Sequence, residues 1–141
     1  MDEWWSRKSK AIFEKKTKCF VEQYNRYGLN GKRTLAENIA DNGGLRQAYK
    51  AFSAWKKNQL PTEKLPGLEN FSTEQLFFLS YGSIWCTKYA KGMLNYTIKE
   101  SDHAPAPYRL RITTENMEEF SESFKCHAKS QRQAVNHCLI W

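Results

Sequence analysis

Apolar and polar positions follow a helical period along much of this chain. Phe13, Thr17, Phe20, Tyr24 and Tyr27 recur at i, i+4, i+7, i+11 and i+14, one face of a helix that Gly28 would stop. Lys15, Lys16 and Lys18 fall mostly on the opposite side. A second helix is predicted from Thr34, where Thr34-Leu35-Ala36-Glu37 reads as a capping box, through Leu45, Ala48, Tyr49, Phe52 and Trp55. The prolines and glycine of "NQLPTEKLPGLENF" make that stretch a loop. Ser72, with Gln75 at the reciprocal capping position, opens a third helix through "LFFLSYGSIWC". It is apolar on nearly every side, as in a helix buried within a larger body. In the proline-bearing "SDHAPAPYRLRITT", Leu110 and Ile112 alternate as in a short strand. A last helix is predicted near Asn116 to Phe124, with Met117, Phe120 and Phe124 on one face, before an irregular tail ending "CLIW". The fold class expected is mainly α.

With 141 residues, 40% of them hydrophobic and 14% aromatic, the chain can bury a core and is not a disordered segment. Its net charge of +7 comes from scattered Lys and Arg without a recognition helix or a stacking motif, so the basic surface is read as solvated and nucleic acid is not an expected partner. No apolar run reaches the roughly 20 residues of a membrane span, and "MDEWWSRKSK" has no signal-peptide apolar region. Two features nevertheless point to an oxidising, secretory setting. The cysteines number four, outside metal-type spacing, and Asn70-Phe71-Ser72 and Asn95-Tyr96-Thr97 are N-glycosylation acceptors. The expectation is an extracellular or cell-surface protein whose signal or anchor would lie upstream.

The octet "ENIADNGG" carries the candidate chemistry. Glu37 and Asp41 stand one helical turn apart, where like charges repel by a few tenths of a kcal/mol. A capping box would account for Glu37 but leaves Asp41 unexplained. A metal site would account for both, since one carboxylate can ligate zinc while the other orients a ligating imidazole, and the cation removes the repulsion.

These residues, with Trp4-Trp5, "CFVEQYNRY", "LPGL", "QLFFLSYGSIWC", "HAPAPYRLR", "EFSESFKC" and "CLIW", give the whole chain a resemblance to the C-terminal part of neprilysin and endothelin-converting-enzyme type zinc metallopeptidases. The resemblance implies the C-terminal portion of a thermolysin-like zincin catalytic domain, one partial domain over residues 1–141, acting on peptide substrates. It makes Glu37 the third zinc ligand and Asp41 the carboxylate that orients a ligating His. It makes His103 a stabiliser of the transition-state oxyanion and Arg109 a substrate-binding residue, with Asn38 beside the metal ligand. The family usually has Asp two residues before that His, whereas Ser101 stands there here and Asp102 is adjacent.

The family's H-E-x-x-H, which supplies two zinc ligands and the general-base Glu, does not occur in this chain. The expectation is therefore a fragment of a zinc endopeptidase, inactive alone, whose partner is the upstream half of the same enzyme and whose one zinc is held only in the complete protein. An inert secreted decoy or binding module is the alternative. Four cysteines allow three connectivities; the resemblance implies a Cys19–Cys138 bridge, with Cys86 and Cys126 pairing upstream. A rival Cys₂His₂ site at Cys126-His127 and His137-Cys138 lacks the usual ligand spacing.

Overall fold

The computed structural model describes residues 4–59, 64–126 and 137–140. Among the described residues the regular elements are six α-helices: α1 (Arg7–Arg26), α2 (Leu35–Lys56), α3 (Thr73–Ile84), α4 (Met93–Glu100), α5 (Ala106–Glu115) and α6 (Glu118–Ser123). Among the described residues there is no strand.

Ser6 starts α1 by accepting the Ser9 N–H at 3.1 Å. The face read from the sequence is the buried one: Thr17, Phe20 and Tyr24 are buried, and Tyr27 caps the helix before Gly28, which has a φ of 75°. The turn into α2 then passes so close to α1 that a Cβ on Gly31 would stand 2.3 Å from the Val21 carbonyl oxygen, so no larger residue fits there.

The start of α2 differs from the capping box expected at Thr34. Thr34 already sits in a turn, with its N–H bonded to Asn30 O and φ/ψ of −85°/4°, not in the extended conformation of a capping residue. Its hydroxyl donates to Asn30 O and accepts from Asn38 Nδ2. Glu37 is therefore not explained by capping. At α3 the expected box is present in full: the Gln75 N–H donates to Ser72 Oγ and the Ser72 N–H to Gln75 Oε1.

The segment read as a strand at Leu110 and Ile112 is α5. Pro105 precedes α5 and Pro107 lies within its first turn, where a missing N–H costs nothing and the fixed φ suits a helix. The face that matters is Tyr108, Ile112 and Glu115, a helical spacing that the Leu110–Ile112 alternation masked. Asn116 ends α5 instead of opening the last helix, which is shorter than expected and begins at Glu118. Helix α4, entered through Gly92 with a φ of 82°, is an element the sequence reading did not include.

Two apolar clusters hold these helices. In the first, Phe20, Tyr24 and Leu29 meet Ala104 and Ile112 from the α5 side, and Cys138 and Ile140 from the C-terminal segment close it. A disulfide joins Cys19 to Cys138 across 119 residues, with Cα atoms 5.6 Å apart, and Lys16 Nζ donates to Ile140 O. Cys138 is thereby removed from the rival Cys₂His₂ site, and His127 lies outside the described residues. Cys86 and Cys126 stand outside this bridge. The second cluster packs Leu45 of α2, Phe78 of α3 and Met117, with Tyr49, Phe77, Tyr81, Phe120 and Phe124 around them. Phe78 is the one buried residue of α3; Leu79 and Ile84 are exposed, so the described residues leave part of this apolar helix uncovered.

Candidate active site

Helix α2 sorts its residues by chemistry. Glu37 and Asp41 lie one turn apart on one face, while the residues that follow each of them, Asn38 and Asn42, are buried amides. The burial of Asn38 and Asn42 turns the two carboxylates toward α5 and the loop before it. Both Asp41 oxygens are engaged there: Arg109 Nε donates to Oδ2 at 2.5 Å and Arg109 Nη2 to Oδ1 at 2.6 Å, a fork-to-fork pair. Those bonds, ahead of the opposing desolvation, raise the Arg109 pKa further above its ordinary value. The Arg109 guanidinium carbon also lies 4.2 Å from the centroid of Trp85, at the end of α3.

Glu37 Oε2 stands 3.1 Å from His103 Nε2, and both side chains are substantially open to solvent, 40% and 53%. Ser101, in the place where the resemblance leads one to expect Asp, accepts the backbone N–H of His103 at 3.0 Å. It supports the loop, not the imidazole. The same loop is clamped by Arg33, whose Nε donates to Ser101 O and whose Nη2 donates to Ile98 O. All four residues proposed from the sequence, Glu37, Asp41, His103 and Arg109, therefore converge on the junction of α2 and α5.

Three supporting residues escaped the sequence reading. Arg33 and Trp85 sit in segments whose local pattern suggests only a loop and a helix end. Asn116, read as the start of a helix, instead ends α5 and makes a buried amide network with Gln23 and Asn42. Its local pattern gives no signal, because Thr113, Thr114 and Glu115 before it are polar as well.

As a metal centre the group fits in part. Glu37 offers an accessible carboxylate on a rigid helix, as one ligand requires. Among the described residues, however, no three His, Cys, Asp or Glu side chains are grouped to hold an ion.

Comparison with known proteins identifies the family. The profile of Peptidase family M13 matches residues 1–140. An endothelin-converting enzyme homolog of Locusta migratoria is 39% identical over 146 residues, covering 100% of this chain and 20% of that protein. Human neprilysin is 37% identical over 147 residues, 99% of this chain and 20% of its own length. A solved structure described as a Haemonchus galactose containing glycoprotein complex superposes with a TM-score of 0.88 at 32% identity, over 95% of this chain and 24% of that one. The chain thus spans about one fifth of the curated relatives it matches. Matched along nearly all of its length, it belongs to peptidase family M13, a family of zinc metallopeptidases.

Proposed function

We propose that this chain supplies one zinc ligand and the substrate-facing groups of a zinc endopeptidase, and that the two His ligands and general-base Glu of an H-E-x-x-H helix come from a segment outside these 141 residues. The observation that carries this reading is the convergence of Glu37, His103, Asp41 and Arg109 at one helix junction.

Glu37 is the residue that would hold zinc, which when bound activates water and polarises the peptide carbonyl. His103, 3.1 Å from Glu37, is placed to donate a hydrogen bond to the oxyanion that develops as the carbonyl is attacked. Arg109 spends two of its five N–H groups on Asp41 and keeps others for a carbonyl or carboxylate of the peptide. Asp41 holds that guanidinium in place and retains lone pairs for a ligating imidazole. The chain is an ectodomain portion, extracellular or at the cell surface, reached by the membrane only through an upstream anchor. Among the described residues no helix is long and apolar enough to cross a membrane. Asn70 and Asn95 are exposed and would carry N-linked glycans in that setting, in keeping with a similar structure described as a glycoprotein.

The test joins this chain to an upstream segment bearing H-E-x-x-H from an M13 relative. The expected product binds one zinc and shows chelator-sensitive peptidase activity; Glu37→Gln removes most of both, and Asp41→Ala weakens zinc binding by about 10 to 100-fold. The 141 residues alone should show neither. Peptidase activity of the isolated chain that disappears with Glu37→Gln would overturn the fragment reading. A folded fusion without zinc would favour the inert binding module.

A further inference from the structure

The α2–α5 junction is tied at two places. One is the exposed-side pair of Asp41 and Arg109; the other lies seven residues further along α5, at Asn116. The Asn116 side chain is buried and uses its full bonding capacity. Its Nδ2 donates to Gln23 Oε1 at 2.8 Å and to Asn42 Oδ1 at 2.7 Å. Its Oδ1 accepts from Gln23 Nε2 at 2.9 Å and from the Cys138 backbone N–H at 3.0 Å. Two donors and two acceptors exhaust a primary amide. The backbone carbonyl of the same residue accepts from Arg46 Nη2 of α2 at 2.8 Å.

Together these bonds reach three other parts of the chain. Gln23 belongs to α1, Asn42 to α2 immediately after Asp41, and Cys138 to the disulfide-held segment, while Asn116 itself caps α5. Asn42 passes the link on, donating to Tyr24 Oη at 3.1 Å and to Asn38 O at 2.7 Å. The amide that follows Asp41 is thus fixed by the residue that ends Arg109's helix. Shape alone does not set this register, because apolar contacts tolerate sliding that a saturated, buried hydrogen-bond set does not.

We propose that Asn116 is a positioning residue: its amide fixes the register of α2 against α5 so that Asp41 and Arg109 meet fork to fork, and it couples that register to the segment held by Cys138. This deepens the role proposed for Asp41 and Arg109, but its test involves neither zinc nor peptide. An Asp at this position would keep the acceptors, lose both donors and set a carboxylate against the oxygens of Gln23 and Asn42. Asn42→Ala removes one link and leaves the bonds to Gln23 and Cys138.

The readout is the Arg109 Nε–H resonance in the ¹⁵N-labelled 141-residue chain, identified by its loss in Arg109→Lys. The Arg33 Nε–H, bonded to Ser101 O, is an internal reference in the same spectrum. Asn116→Asp and Asn42→Ala should each speed Arg109 Nε–H exchange at least tenfold while Arg33 is unchanged. Phe13→Ala, which trims the apolar packing of α1 near Trp5, is the control for general destabilisation and should leave Arg109 protected. Unchanged Arg109 exchange in either folded variant overturns the proposal, as does equal loss of protection in Phe13→Ala. If Asn116→Asp does not fold, Asn42→Ala decides by the same criterion. Failure of the zinc-loaded fusion would leave this result standing, so the two readings are separable.

Discussion

Asp41 and Arg109 satisfy each other through two parallel hydrogen bonds across the α2–α5 junction, with only 12% and 19% of their side chains exposed. Removing one partner leaves the other charge poorly solvated. Asp41→Asn should cost about 1.5 to 3 kcal/mol of stability, the range of hydrogen bonds to charged groups. Replacing both, as in Asp41→Asn with Arg109→Leu, should recover part of that loss, because no stranded guanidinium remains. Urea titrations of the two single variants and the double variant measure the coupling; strictly additive losses would show that the pair contributes nothing as a pair.

The covalent link makes a larger difference. In the chain-entropy account, a crosslink spanning 119 residues stabilises by about 4 to 5 kcal/mol. Cys19→Ser or Cys138→Ser should lower the denaturation midpoint accordingly, and reductant should have no further effect on either variant. A peptide map joining Cys19 to Cys86 or Cys126 would refute this connectivity.

Three tyrosines should resist ionisation. Burial, the leading cause in each, raises the pKa of Tyr24, Tyr27 and Tyr81 above the ordinary value. For Tyr27 the Glu115 carboxylate, reached by its hydroxyl at 2.6 and 2.7 Å, adds to the effect. The unfolded chain releases these protons near pH 10, whereas the folded chain retains them. Their contribution is therefore complete below about pH 10 and is lost as the pH rises beyond it. A phenolate absorbance titration of the seven tyrosines should show Tyr24, Tyr27 and Tyr81 ionising above the ordinary tyrosine range, and Tyr24→Phe should shallow the alkaline loss of stability.

The surface beside α3 should be adhesive. Two open grooves of about 450 and 480 Å³ flank this helix, one lined by Leu45, Phe52, Phe77 and Ile84, the other by Phe78, Leu79, Leu110 and Phe124. With Ile84 and Leu79 exposed, the chain should bind a hydrophobic dye and self-associate as concentration rises. Ile84→Lys should weaken dye binding without lowering the unfolding temperature; a dye-silent monomer would contradict this reading.

What could be read from the sequence tracks how local the determining physics is. The α1 face from Phe13 to Tyr27 and the Ser72–Gln75 box depend on neighbours within a few turns, and both stand as read. The Thr34 box failed because the turn from Asn30 had already claimed the threonine, a conformation that four residues of motif do not reveal. Leu110 and Ile112 suggest a strand because a two-residue spacing also occurs within a helix, whereas prolines at this point favour the start of α5. At the site, Glu37, Asp41, His103 and Arg109 were identifiable as a constellation only through resemblance. The roles of Arg33, Trp85 and Asn116 arise from contacts across the fold: Arg33 with Ser101, Trp85 with Arg109, Asn116 with Gln23. No spacing rule encodes them.

The placement of Cys138 and Ile140 beside Phe20 and Tyr24 also sets an order of events during synthesis. The ribosome produces Cys19 well before its partner, which is the 119th residue to follow it. Until then Cys19 is an available thiol, the Asn116 amide lacks the N–H that Cys138 supplies, and the first cluster is open to solvent. Helices α1 to α6 can form locally as they emerge and the second cluster can pack, but the first cluster cannot close until Cys138 and Ile140 arrive. The nascent chain should therefore depend on chaperones and thiol oxidoreductases until its C-terminal segment is released, and a premature stop that removes Cys138 should yield a long-lived chaperone client.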